Sequence, residues 1–148
     1  MKNVLFLCTG NFYRSKFAEA YTQYLSDMMD LGLNCYSAGF EVGKADYAIE
    51  KYGCISPFTR DRIRMYNAEK YLSEGNQQLT QELIDKSDYV VIIDVDEHMV
   101  YFKDYNFVNV IIEEWRIKDI FDWAPKITLD HLVINCQNFA NGMWQNDV

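Results

Sequence analysis

Apolar positions along the chain form short continuous runs, separated by stretches in which they recur every three or four residues. Residues 3–8 (NVLFLC) read as a buried strand. Residues 14–30 read as a helix with Phe17, Ala18, Ala20, Tyr21, Tyr24, Leu25 and Met28 on a broad apolar face. Gly32 is its expected stop. A second short strand is predicted over 33–37 and should break at Ala38-Gly39, followed by a helix over about 45–52 that ends near Gly53. Residues 60–73 can hold a further helix, with Gly75 as a breaker. Thr80 opens T-Q-E-L, a capping pattern for a helix running to about Lys86. Tyr89 to Ile93 is a continuous apolar run of the kind found in central parallel strands. A short helix over 96–103, a fourth strand over 107–112, a loop over 113–125 and a last helix over 126–141 complete the chain. The core face predicted for that last helix carries Ile127, Leu129, Leu132, Val133, Cys136, Phe139 and Ala140.

Strands separated by helices in this order imply parallel pairing through right-handed crossovers. The predicted fold is therefore α/β: one domain over residues 1–148, a three-layer sandwich with a four-stranded parallel sheet and helices on both faces. In such sheets ligands bind beyond the carboxyl ends of the strands. Cys8, Ser37 and the loop after Ile112 all fall at that edge.

Composition changes this picture little. With 148 residues, 49% of them apolar and 24% charged, the chain can bury a sizeable core without disulfides or metal. The four cysteines at 8, 35, 54 and 136 form no C-x-x-C pair, so neither a zinc site nor a disulfide framework is expected. The first apolar run is too short for a membrane span and lacks the cleavage pattern of a signal peptide. A reducing cytoplasm is the expected location. Charge is more informative, because a net −8 leaves no broad basic footprint for nucleic acid or an anionic membrane. Any anion site must be local, built from backbone N–H groups and one or two arginines.

Residues 8–15, C-T-G-N-F-Y-R-S, provide such a site. Chain leaving a buried strand for a helix exposes several backbone N–H groups, and Gly10 lets them converge on one point. Thr9, Gly10, Asn11, Phe12, Tyr13 and Arg14 would form this phosphate cradle. Cys8, facing the N–H dipoles and the charge of Arg14, is placed to act as a thiolate nucleophile. Arg14 offers a planar fork for two phosphoryl oxygens, and Ser15 a hydroxyl for the departing sulfur. Cys8 alone would read as a small buried residue ending a strand. The complete octapeptide changes that reading.

With these residues in place, the chain resembles the low-molecular-weight protein tyrosine phosphatases, whose loop pattern C-x-G-N-x-x-R-S it matches throughout. Lys16-Phe17-Ala18-Glu19, Ser37-Ala38-Gly39, Glu41-Val42-Gly43 and Ser87-Asp88-Tyr89-Val90-Val91 extend the likeness. The resemblance implies a cysteine-dependent phosphomonoesterase working through a phosphocysteine, without metal or cofactor. Its substrate would be a phosphotyrosine protein or a small phosphorylated molecule, and its state a monomer or weak dimer. Asp119, in W-R-I-K-D-I, takes the place of the general acid, although Ile120 replaces the usual Pro; Asp122 is the competitor. Without the loop, either Asp would read as a turn or helix cap. Phe40 and Phe121 are the wall candidates for an aromatic substrate, with Phe12 and Trp123 as further choices. Among 11 Tyr, 9 Phe and 3 Trp, an aromatic near a pocket carries little weight by itself.

Departures from the family pattern are equally specific. Tyr13 stands where many members carry a second cysteine that can protect the nucleophile as a disulfide. Phe58 occupies the place of a histidine that supports the loop asparagine. The 60–78 segment looks long and carries Arg60, Arg62 and Arg64, either as a solvated face or toward substrate. Two alternatives stay open: a phosphate- or phosphoprotein-binding module without turnover, and an arsenate reductase on the same scaffold. The thioredoxin-coupled version of the latter needs two more cysteines around the third helix and strand, and residues 55–135 contain none.

Overall fold

A computed structural model describes residues 1–119 and 124–146. Its centre is a parallel sheet of four strands, β1 (Lys2–Cys8), β2 (Leu33–Gly39), β3 (Tyr89–Ile93) and β4 (Ile111–Trp115), in the order β2-β1-β3-β4. The helices are α1 (Arg14–Met29), α2 (Asp46–Tyr52), α3 (Pro57–Arg64), α4 (Gln81–Asp85), α5 (Val95–His98) and α6 (Pro125–Asn146). Successive strand residues point to opposite faces, so the apolar runs of β1 and β3 supply two cores at once. Val4, Phe6, Val91 and Ile93 pack with α1 and α6 on one face. Leu5, Leu7, Val90 and Ile92 pack with Leu83 and Ile84 of α4 and with Phe40 on the other. This is the predicted α/β sandwich with helices on both faces. No helix among the described residues is long and apolar enough to cross a membrane.

Several boundaries differ from the sequence reading. β2 does not break at Ala38-Gly39 but pairs with β1 through Gly39, opposite Cys8. Any Cβ at Gly39 would lie 2.5 Å from the Thr9 carbonyl oxygen. The glycine marks the close approach of β2 to the loop after β1 and not a break. α1 ends at Met29, where Asp30 takes a left-handed conformation (φ 55°) ahead of Gly32. The helix predicted over 60–73 instead spans Pro57–Arg64: Pro57 at its first position and the Ser56 hydroxyl accepting from Phe58 N fix an earlier start. Thr80 caps α4 as expected, its hydroxyl accepting from Leu83 N. The 96–103 segment is one α-turn, α5, continued as a 3-10 helix over Met99–Asp104.

The fourth strand is displaced from 107–112 to Ile111–Trp115, into the predicted loop. Phe107 and Val110 pack against the second core from a turn, leaving Trp115 to fill the strand's buried position against Phe6. Ile111 and Ile112, read as the end of the strand, are exposed on the sheet edge. α6 begins at Pro125 and runs to Asn146; Ile127, assigned to its core face, is half exposed, while Met143 is buried.

Candidate active site

Five carbonyls hold the loop after β1 in shape. Cys8 O accepts from Phe40 N and Thr9 O from Glu41 N, each at 2.9 Å. Asn11 O accepts from Asn76 Nδ2 at 2.8 Å, Phe12 O from Ser56 N at 3.0 Å, and Tyr13 O from both Thr59 Oγ1 and Phe17 N. In a planar trans peptide the N–H points opposite to the C=O that precedes it. Binding these carbonyls outward therefore turns the N–H groups of residues 9, 10, 12, 13 and 14 toward the enclosed side. Gly10 is required by packing, since a Cβ there would lie 2.5 Å from Ala45 Cβ.

Asn11 sits at the turn in a left-handed conformation (φ 53°) and is fully buried. Its Nδ2 donates to Ser15 Oγ and Ser37 Oγ at 2.9 and 2.8 Å, and its Oδ1 accepts from Gln77 N at 2.8 Å. Ser37 Oγ donates in turn to Glu19. The brace for Asn11 thus comes from β2 and residues 76–77, while Phe58 lies at the surface of α3. Buried Lys16 donates to Ser73 O and Gly75 O, fastening the same segment to α1. Arg60, Arg62 and Arg64 pair with Glu74, Asp130 and Asp61, while the 60–78 connection reaches the loop through Asn76 and Gln77.

Cys8 and Ser15 are in hydrogen-bond contact, Sγ to Oγ 3.0 Å. Because Ser15 Oγ already accepts from Asn11, its own hydrogen is left for a sulfur that has lost its proton. Arg14 is 2% exposed; Nη1 donates to Ile117 O at 3.0 Å and Nη2 to Glu97 Oε2 at 2.9 Å. Burial opposes its charge, but Cys8, Glu97 and Asp119 favour it more strongly and hold the guanidinium above its ordinary pKa. Asp119 is exposed, two residues beyond the carbonyl that Arg14 holds. The Lys118 carbonyl accepts from Thr128 Oγ1, and Lys118 Nζ lies 3.2 Å from Asp94 Oδ1, so the chain leading to Asp119 is anchored on both sides. Tyr13 donates to Pro125 O at the start of α6, and burial pushes its phenol up to about 12.

Two neighbours of the loop escaped the sequence reading. His98, fully buried, lies with Nε2 2.7 Å from Thr9 Oγ1 and Nδ1 2.8 Å from the Asp94 carbonyl. A carbonyl can only accept, so Nδ1 carries the hydrogen and Nε2 accepts from the Thr9 hydroxyl. Glu97, one residue earlier, is the carboxylate on Arg14. Their only sequence signal is position: both follow the carboxyl end of β3, which pairs with β1. Phe40 is not an open wall. It is 3% exposed, and the rings of His98 and Tyr101 both stack against it with centroids 5.1 Å away. Phe12 is likewise buried in the first core. Ile120, Phe121, Asp122 and Trp123 lie outside the described residues.

Burial lowers the His98 pKa, outweighing the attraction of Glu97. A depressed histidine contributes stability that is full above the ordinary value of 6.5 and is lost as pH falls from there through the lower folded value. Urea midpoints measured against pH should therefore fall more steeply on acidification in the wild type than in His98→Asn. Parallel curves would show that His98 does not carry the acid sensitivity.

A parallel sheet with an oxyanion-sized N–H loop at a strand end, holding a cysteine and a buried arginine, defines a class of phosphate-handling α/β proteins. Comparison with known proteins is more specific. Residues 3–135 match the family described as low molecular weight phosphotyrosine protein phosphatase, and the chain belongs to that family. No curated protein sequence matches the chain. Among solved structures it is similar to a YwlE mutant from Bacillus subtilis, with 21% identity and TM-score 0.72, covering 97% of this chain and 99% of that one. It is also similar to Vibrio vulnificus Wzb in complex with benzylphosphonate, with 18% identity and TM-score 0.74, covering 95% and 98%. A third similar structure is a thioredoxin-dependent arsenate reductase from Corynebacterium glutamicum, with 17% identity and TM-score 0.69, covering 99% of this chain and 63% of that one.

Proposed function

We propose that the chain hydrolyses phosphate monoesters, with aryl phosphates such as phosphotyrosine as its substrate class. The observation that carries this reading is the placement of Cys8, with Ser15 on its sulfur, Arg14 buried alongside and the loop N–H groups turned inward. Cys8 Sγ attacks phosphorus as the ester P–O bond breaks, and Asp119 gives its proton to the leaving oxygen. Water then attacks the phosphocysteine, loses a proton to Asp119, and inorganic phosphate leaves as the S–P bond breaks. The Ser15 hydroxyl stabilises the departing sulfur. Arg14 and the loop N–H groups hold the equatorial oxygens through both steps.

The test is paired kinetics on phosphotyrosine and phosphoserine peptides for the wild type and Asp119→Asn. The variant should lose roughly 100-fold or more in kcat on phosphotyrosine, and less on an aryl phosphate whose leaving group needs no proton. An equal loss on both would move the acid role elsewhere. Accumulation of phosphate-bound protein with no phosphocysteine on rapid quench would favour the binding-module reading instead.

Thiol chemistry argues against thioredoxin-coupled arsenate reduction. Burial pushes the Cys136 thiol up to about 12 and that of Cys35 well above its ordinary range, which leaves Cys54 as the one cysteine besides Cys8 for a relay. Arsenate-dependent thiol consumption would reverse that conclusion.

A further inference from the structure

We infer that Glu97 is a specificity-determining residue: its carboxylate shares the phosphate-binding fork of Arg14 and biases the cradle toward the monoanionic form of the phosphoryl group. This rests on the phosphatase reading above and deepens it. Glu97 Oε2 lies 2.9 Å from Arg14 Nη2, while Nη1 is committed to Ile117 O. In the open cradle both terminal nitrogens of the fork thus hold protein oxygens. A phosphoryl group that takes the remaining N–H groups of this fork lies beside the Glu97 carboxylate, whose side chain is 38% exposed against 3% for Arg14. Glu97 can loosen its bond to Arg14 on that side, and its charge stays nearby when it does.

The groups facing Glu97 do not cancel that charge beyond Arg14 itself. His98 Nε2 is 3.3 Å from the same carboxylate oxygen, but it faces the Thr9 hydroxyl and burial disfavours its charged form. Lys44, exposed at the turn before α2, feels Glu97 only after its nearer partners Tyr101 and Glu41. Cys8 and Asp119 add negative charge around Arg14. A dianion entering this set meets twice the repulsion from Glu97 that a monoanion meets. Glu97→Gln retains an oxygen to accept from Arg14 Nη2 and removes only the charge.

Calorimetric titration with inorganic phosphate in a Cys8→Ser background isolates the effect, because no thiolate titrates. Glu97→Gln added to that background should tighten binding by about tenfold near pH 8, where phosphate is largely dianionic. Near pH 5 the gain should shrink to about threefold or less. Equal binding of Glu97→Gln and its parent at both pH values would overturn the proposal. Weaker binding would overturn it too, assigning Glu97 the role of orienting Arg14. Failure of the parent itself to bind phosphate would remove the cradle reading, a result distinct from either and fatal to both. Matching thermal midpoints ensure that the comparison is between folded proteins.

Discussion

Cys8→Ser is expected to reduce turnover of a phosphotyrosine peptide by about four orders of magnitude or more, while leaving phosphate binding measurable. The substitution is nearly isosteric at a buried position whose neighbours are polar, so the loop should keep its form. Ser15 Oγ remains within reach, and Asn11 Nδ2 donates to Ser15 and Ser37 rather than to the Cys8 side chain. What is lost is the nucleophile. A serine hydroxyl keeps its proton at neutral pH, and among the described residues the hydrogen-bond partner of Cys8 is Ser15, itself a hydroxyl and not a general base. Initial rates with phosphate binding measured on the same samples decide the matter. Residual turnover above about one hundredth of the wild type would show that phosphorus is attacked by water directly, with the cradle acting by electrostatics alone.

The parts of the site that were legible in sequence are those built from neighbours along the chain. The strand, the loop and the first turn of α1 are contiguous, and the loop's residue types each serve a local need. Gly10 approaches Ala45, Asn11 takes the left-handed turn, and Ser15 returns one helical turn later beneath it. Glu97 and His98 were not legible because their contacts span more than eighty residues and exist only once β3 pairs with β1. Nothing in V-D-E-H distinguishes an arginine clamp from an exposed acidic turn. The brace from Asn76 and Gln77 was hidden for the same reason, since its residues read as a polar loop.

The misplaced elements have a related cause. An apolar run announces burial without saying what buries it. Phe107 and Val110 are partly buried from a turn against the second core, so the strand begins four residues later, where pairing with β3 continues to Trp115. Phe40 follows a strand end at the ligand edge, a position that suits a substrate wall as well as core. The rings of His98 and Tyr101 packed against it make it core. One consequence is that Phe40 couples β2 to the α5 turn carrying Glu97, so the packing under the site and the charge at its mouth share an element.

Arg14→Lys should lower kcat/KM by about a thousandfold, the second largest effect expected. Arg14 holds Ile117 O and Glu97 from separate nitrogens and still has N–H groups for the phosphoryl oxygens. A lysine ammonium is a single point with three donors on a flexible stem, and it cannot bridge these partners and fork two equatorial oxygens together. Burial would also lower its pKa, as it does for Lys16. Because the fork fits the transition state better than bound phosphate, the loss in kcat/KM should exceed the loss in phosphate affinity. The Ile117 bond adds a second, separable expectation. If Arg14 also positions the chain that leads to Asp119, then Asp119→Asn should cost less in the Arg14→Lys background than in the wild type, a coupling that a double-mutant cycle measures directly. Strict additivity would confine Arg14 to the phosphate and leave the chain before Asp119 held by Thr128 and the Lys118–Asp94 pair without help from Arg14.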